Sequence, residues 1–404
     1  MDLKTKYQYT YFIYPYIVKQ EKYNKYIMKL LKDEKCHITY FQKDKNIDIY
    51  TYFYPKIRNY MFSSFNFDKT KIDNLNKISI ETRAAILAKF PCTIFEYELP
   101  VDIQGKTEDE ENIYFKIQKM QIICFKEGIC FLCLKTNIEG SNEFKDVLNF
   151  NYKFRKINID GEQLENYDKI KIQADKFSNI KQLKQFIEGI TGNNIEGMKL
   201  NIDTESFLTF SYVCIDQKDW NTEEQFETIK DQYLKYVNIL PNDDVTSYIK
   251  DFKIISRWKY AKFATNKLGC TLFTSNNEIN NYTILPQEYE NKYLYTYILS
   301  LYTKIYLNKL NFEFKSENNL KEVRKKFVDF TEDIWIQEIT SEDTGTILYQ
   351  LLKQTMDIYN LYNDTKSNYD IIYKQRNIEK STKSTITIAV ILAILLIINI
   401  IKLL

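Results

Sequence analysis

The stretch Ile386 to Ile401 reads ITIAVILAILLIINII, with no charged side chain and twelve of its sixteen positions Ile, Leu or Val. At about −0.3 to −0.6 kcal/mol for each such residue, transfer of the run into a bilayer is favoured by roughly 4 to 7 kcal/mol. Thr387 and Asn399 sit near its ends, where polar groups are tolerated best. Counted from Ser384 to Leu404, the segment has about the 20 residues that cross a hydrocarbon layer of about 30 Å. A helix in a soluble core would carry a polar stripe over such a length. The run therefore predicts a single transmembrane helix, with Ile386, Val390, Leu392, Leu395, Ile398 and Ile401 among its membrane-spanning residues. Lys374, Arg376, Lys380 and Lys383 precede it and Lys402 follows. Basic flanks stay on the cytosolic side, so the expectation is a single-pass, tail-anchored protein whose long N-terminal part is cytosolic. The opening residues MDLKTKYQYTYFIYPYIV are broken by charges and tyrosines and lack the form of a signal peptide.

The part before the span is long enough for two or three packed units. The 56 basic and 54 acidic residues of the whole chain nearly cancel to +2, which removes the global basic field that recruits nucleic acid. Short basic clusters remain at Arg324-Lys-Lys326 and Lys153 to Lys156, and Arg257-Trp-Lys-Tyr260 has the elements of a stacking surface. None amounts to a nucleic-acid signal. With one histidine, His37, a metal site of several imidazoles is impossible. The seven cysteines are scattered and odd in number, as expected of reduced thiols. Cys130 and Cys133 lie in a hairpin turning at Glu127-Gly128. Three residues apart on a strand, they face opposite sides of a sheet and cannot share an ion. Gly105-Lys-Thr107 lacks the upstream glycine of a phosphate loop, since position 100 is Pro100. No catalytic residue, cofactor or metal is expected.

Patterning divides the chain into an α+β N-terminal region (1–150), an α+β middle region packed with it (151–285), a helical region (286–383) and the span (384–404). Tyr7 to Val18, His37 to Gln42, Ile47 to Tyr54, Thr93 to Leu99 and Phe207 to Ile215 read as strands. Lys22 to Lys32, Ser79 to Phe90, Asn142 to Phe150, Ser178 to Ile190 and Thr222 to Val237 read as helices, and Gly105 to Asn112 as an acidic loop. Helices are also expected over Gln287 to Leu310 and Asn319 to Gln337. A third runs from about Gly345 to Lys380 and on into the membrane. That stalk presents Leu348, Leu352, Tyr359, Tyr362, Tyr369 and Tyr373 along one face. The face suits packing on the chain's own domain above and on copies of itself below. Packing within the chain throughout is the competing expectation.

The stretches YTYILSLYTKIYLNKLNF (295–312), KKFVDFTEDIWIQEITSEDTGTILYQLLKQTMDIYNLYNDTKSNYDIIYK (325–374) and DVLNFNYKFRKI (146–157) resemble the cytosolic and stalk regions of the CorA-like magnesium-transporter superfamily. The resemblance implies a funnel-like oligomer whose stalk helices converge on the membrane. It does not extend to ion selection, because the family's Gly-Met-Asn signature is missing. The one Gly-Met here, Gly197-Met198, is followed by Lys199 far from the span. The expected function is a membrane-anchored oligomeric effector or regulator, with the bilayer and copies of itself as partners beside an unidentified cytosolic ligand. The alternative is a tethered scaffold or adaptor. An enzyme is the weakest of the three expectations.

Overall fold

The computed structural model describes residues 3–99, 104–107, 112–156, 170–174, 177–191, 200, 202, 205–217, 220, 222–244, 252–258, 260–316 and 320–403. The strands are β1 (Thr5–Ile17), β2 (Cys36–Ile38), β3 (Cys92–Tyr97), β4 (Gln104–Thr107), β5 (Ile113–Phe125) and β6 (Ile129–Glu139). Later come β7 (Ile170–Ala174), β8 (Phe177–Gln182), β9 (Leu208–Ile215), β10 (Lys253–Trp258), β11 (Ala261–Thr265) and β12 (Gly269–Ser275). The first helices are α1 (Gln20–Lys32), α2 (Ile47–Tyr52), α3 (Pro55–Met61), α4 (Lys69–Lys77), α5 (Ile80–Leu87), α6 (Phe144–Arg155), α7 (Leu183–Thr191), α8 (Glu223–Glu227) and α9 (Lys230–Asn238). They are followed by α10 (Asn280–Thr283), α11 (Leu285–Glu288), a π-helical turn (Tyr289–Tyr293), α12 (Leu294–Ser316), α13 (Leu320–Asp333), α14 (Asp343–Thr355) and α15 (Ile358–Leu403).

All the strands belong to one sheet, ordered β10-β11-β12-β9-β1-β6-β5-β4-β7-β8, with β3 also on β5 and β2 on β3. Neighbours are antiparallel except β12 and β9, which run parallel. Segment 151–285 thus adds its strands to the sheet that β1 and β6 begin. The central strands are buried on both faces, which explains their near-continuous apolar sequence. Tyr9, Tyr11 and Ile13 of β1 face one core, and Phe12, Tyr14 and Tyr16 face the other. The first core is covered by α2, α3 and α11 to α15, the second by α1, α5, α6, α8 and α9. The hairpin at Glu127-Gly128 forms, with Cys124 opposite Cys130. Gly128 has φ +80°, and a Cβ there would meet the Val18 carbonyl oxygen at 2.1 Å, so glycine is required.

Several expectations need correction. The helix expected over Thr222 to Val237 is two, α8 and α9, parted at Thr228 and Ile229, and of the strand expected over His37 to Gln42 only His37 and Ile38 lie in β2. Ile47 to Tyr54 alternates like a strand, yet α2 spans Ile47–Tyr52. Burial of Ile49 and Tyr52, three apart on one helical face, outweighs the strand propensity of its aromatics. The N-terminal half of the helix expected at Ser178 to Ile190 is strand β8, paired with β7. Within the expected acidic loop, residues 104–107 form β4 between β5 and β7, while 108–111 lie outside the described residues. Finally, the stalk is two helices. Asp357 has φ +58° and separates α14 from α15. Its carbonyl accepts from Leu361 N at 3.2 Å and its carboxylate from Asn360 Nδ2 at 2.6 Å, starting the new helix. The break re-phases the buried stripe. Leu348, Leu352 and Met356 point inward before it, and Ile358 and Thr365 after it.

Candidate functional site

Because α15 joins the α/β domain to the apolar segment, its attachment is the first thing a functional reading has to explain. Trp335, just after α13, stacks flat on Tyr362 with ring centroids 3.9 Å apart and planes 3° apart. It meets Tyr359 edge-on at 6.0 Å. Phe327 packs against Tyr362 and Tyr369 at 5.9 and 5.2 Å. The Arg324 guanidinium lies 5.4 Å from the Tyr369 ring and 5.0 Å from that of Tyr373. From α12, Asn311 accepts from Asn368 Nδ2 at 3.1 Å. The pairing of early α13 residues with late positions on α15 makes the two helices antiparallel. From Tyr373 to Ile398 every side chain described is exposed.

Beside this aromatic clamp sits Lys353 of α14, buried with no carboxylate partner among the described residues. Its Nζ donates to the Ile336 carbonyl at 2.6 Å and lies 4.3, 4.8 and 5.7 Å from the rings of Tyr349, Trp335 and Tyr359. Burial lowers its pKa to about 8. The three rings offer their negative faces to the ammonium, which offsets part of the desolvation. Lys353 thereby ties α14, the segment after α13 and the first turn of α15 together.

On the far side of α13, a cleft of about 700 Å³ opens between the β5–β6 turn, the start of α1, and helices α12 and α13. Glu127 stands at its base. The Tyr302 hydroxyl donates to Glu127 Oε2 at 2.6 Å, and Lys309 Nζ donates to the Glu127 carbonyl at 2.6 Å. Burial pushes the Glu127 carboxyl above the ordinary range, against the opposing pull of Tyr302 and Lys126. Asp329 and Asp333 line the opposite wall, with Lys326 bonded to Glu313 at 3.1 Å. A second charged cluster underlies the π-helical turn. Glu290 is held by Lys135 at 2.5 Å, Lys119 at 3.3 Å and the Tyr11 hydroxyl at 2.7 Å. Burial opposes its charge, but the two lysines and Tyr11 prevail and keep its pKa below the usual range. Its polar contacts come from this chain, so it reads as a structural ion network.

Of the residues singled out from sequence, Ile386, Val390, Leu392, Leu395 and Ile398 lie on the exposed part of α15, and Ile401 on its last turn. The large apolar side chains from 386 to 398 are 43–62% exposed, although an apolar face of this size on a soluble domain would be covered. Among the described residues, α15 is the one helix long and apolar enough to cross a membrane. Lys374, Lys380 and Lys383 are exposed on the same helix, which also carries Arg376. Leu348 and Leu352 are buried, and Tyr362 and Tyr369 are engaged by α13, so that stripe is occupied by the chain's own helices. Tyr359 and Tyr373 are its more exposed members. His37 is a surface residue whose Nε2 lies 3.2 Å from Glu98. Cys130 and Cys133 enter opposite cores. Gly105 sits against the Phe115 ring within β4 and forms no phosphate loop. Sequence reasoning passed over Lys353, Glu290 and the cleft. Their partners are far apart along the chain, and the one available hint was Trp335 among many aromatics. No family model matches the chain, and no curated protein matches it.

Proposed function

We propose that the chain is a membrane-anchored cytosolic regulator or effector. Its α/β domain receives a cytosolic ligand in the cleft beside α13, and α15 carries the response into the bilayer. One observation carries this reading: α15 begins in the domain core at Ile358 and continues for 46 residues through the apolar run. At about 1.5 Å per residue that is one rod of about 70 Å. Because α13 forms both a wall of the cleft and the clamp on α15, displacement of α13 by a ligand would be felt along the rod. Self-association is part of the proposal. Ile371 and Ile378, seven residues apart, are 54% and 65% exposed, as a helix seam awaiting a second copy requires. A ring of copies with converging α15 helices agrees with the CorA-like resemblance, without its ion transport.

Two measurements test this. The full chain should stay with membranes through an alkaline carbonate wash, with its domain open to protease on the cytosolic side. Release by the wash refutes the anchor. Native mass spectrometry in mild detergent should show an oligomer that Ile371→Glu/Ile378→Glu dissociates. A monomer at every concentration leaves only a tethered scaffold.

A further inference from the structure

Below Tyr373, α15 keeps turning one face toward the space beneath the domain. Tyr362, Tyr369 and Tyr373 lie on that face. At about 100° per residue the positions that continue it are 376, 380 and 383, spaced as i, i+4 and i+7. They are Arg376, Lys380 and Lys383. Since α13 runs antiparallel to α15, its first turns sit directly above, with Lys321, Arg324 and Lys325, and α12 ends nearby with Lys315. The end of α12, the start of α13 and the lower part of α15 thus place Lys315, Lys321, Arg324, Lys325, Lys380 and Lys383 around one recess below the domain.

Arg324 sets this recess apart from an ordinary solvated lysine patch. Its guanidinium is laid over Tyr369 and Tyr373, and its Nε is buried with no acceptor. Stacking holds this charge in place, and it has no carboxylate partner among the described residues. Lys315, Lys321, Lys325, Lys380 and Lys383 are exposed and make no ion pair among the described residues. Among the described residues, Glu322 lies 3.7 Å from Lys326, and Glu379 is the one acid of α15 between Asp370 and the apolar run.

Heights along α15 say what fills the recess. Lys383 and Lys380 stand about 4 and 9 Å above Ile386, in or at the edge of a headgroup layer about 5–7 Å deep. Arg324, level with Tyr373, stands about 20 Å above Ile386 when α15 is upright. The tilt of about 20° common in membrane helices, taken toward α13, brings it to about one Debye length from the headgroups. We propose that the recess binds anionic phospholipid headgroups of the cytosolic leaflet. Lys380 and Lys383 contact their phosphates, while Arg324, Lys321 and Lys325 draw the α13 side of the domain toward the surface. The proposal rests on the membrane-anchored reading and adds a lipid class to it.

The test uses the full chain equilibrated with mixed micelles of phosphatidylcholine and phosphatidylglycerol, with native mass spectrometry counting the lipids retained. Phosphatidylglycerol should be enriched over phosphatidylcholine, and the enrichment should fall as salt rises. At about fivefold for each basic residue near an anionic surface, Lys380→Gln/Lys383→Gln should lower the enrichment at least tenfold. Lys321→Gln/Arg324→Gln/Lys325→Gln should lower it several-fold, most at low salt, and Arg324→Lys alone should retain most of it. Equal retention of the two lipids, or variants that change nothing, overturns the proposal. So does tighter binding of single-stranded RNA than of the lipid. A chain that fails to enter phosphatidylcholine vesicles refutes the anchor itself. Entry without phosphatidylglycerol enrichment refutes the recess alone.

Discussion

Lys353→Met tests whether the aromatic clamp is built around a desolvated cation. Lysine in an unfolded chain titrates near 10.5, whereas buried Lys353 titrates at about 8. Between those values the unfolded state holds a proton that the folded state has released. Stability contributed by this group therefore rises with pH across that window, at about 1.4 kcal/mol per pH unit where the difference is one full proton. From pH 7 to pH 9.5 the gain integrates to about 2 kcal/mol. Burial also raises the thiols of Cys214 and Cys270, to about 11 and about 12, and these erode stability as pH rises. The informative quantity is thus the difference between wild type and Lys353→Met, in which those contributions cancel. At pH 7 the variant sheds the desolvation but loses the 2.6 Å hydrogen bond to the Ile336 carbonyl, which keeps the Tyr349 hydroxyl at 3.5 Å, so the two proteins should lie within about 1–3 kcal/mol of each other there. Denaturant unfolding of both proteins at pH 7, 8, 9 and 9.5 should show wild type gaining about 2 kcal/mol on the variant. A difference flat to within about 0.5 kcal/mol would mean that Lys353 keeps an ordinary pKa, and the argument from burial would fail.

Three further outcomes follow from the same geometry. Trp335→Ala removes the ring stacked at 3.9 Å on Tyr362. It should cost about 2–4 kcal/mol and raise amide exchange across 358–370, whereas unchanged exchange there would sink the clamp. Glu290→Gln leaves Lys119 and Lys135 without their counter-charge. A loss of about 3–5 kcal/mol is expected at pH 7 by chemical denaturation. Because the Glu290 pKa is lowered, that contribution is present above the ordinary carboxylate range and disappears only as pH falls through the lowered value. All seven cysteines are buried, so a thiol reagent at pH 8 should label none in the native protein and all in denaturant. Rapid native labelling of Cys130 or Cys133 would contradict their placement in the two cores.

Much of the architecture was legible because it depends on local pattern. The hairpin at Glu127-Gly128, the helix opened by Ser79 and the capping box of Thr222 with Gln225 follow from residues adjacent in sequence. Failures came where burial from a distance overruled local preference. Ile47–Tyr52 is helical because Ile49 and Tyr52 are needed in the same core as α12. Asp357 breaks the stalk with no glycine or proline to announce it, since the left-handed residue re-phases two buried stripes that one straight helix cannot both present.

Hydropathy and charge add up along consecutive residues, so the apolar helix at the end of an α+β chain and the basic residues ahead of it could be read from the chain alone. What those features meet depends on packing between distant elements. Antiparallel packing of α13 on α15 sets Arg324 above Lys380 and Lys383, and α14 delivers Lys353 into its aromatic cage. Such pairings depend on how helices fold back on one another, and no local period in the chain encodes that.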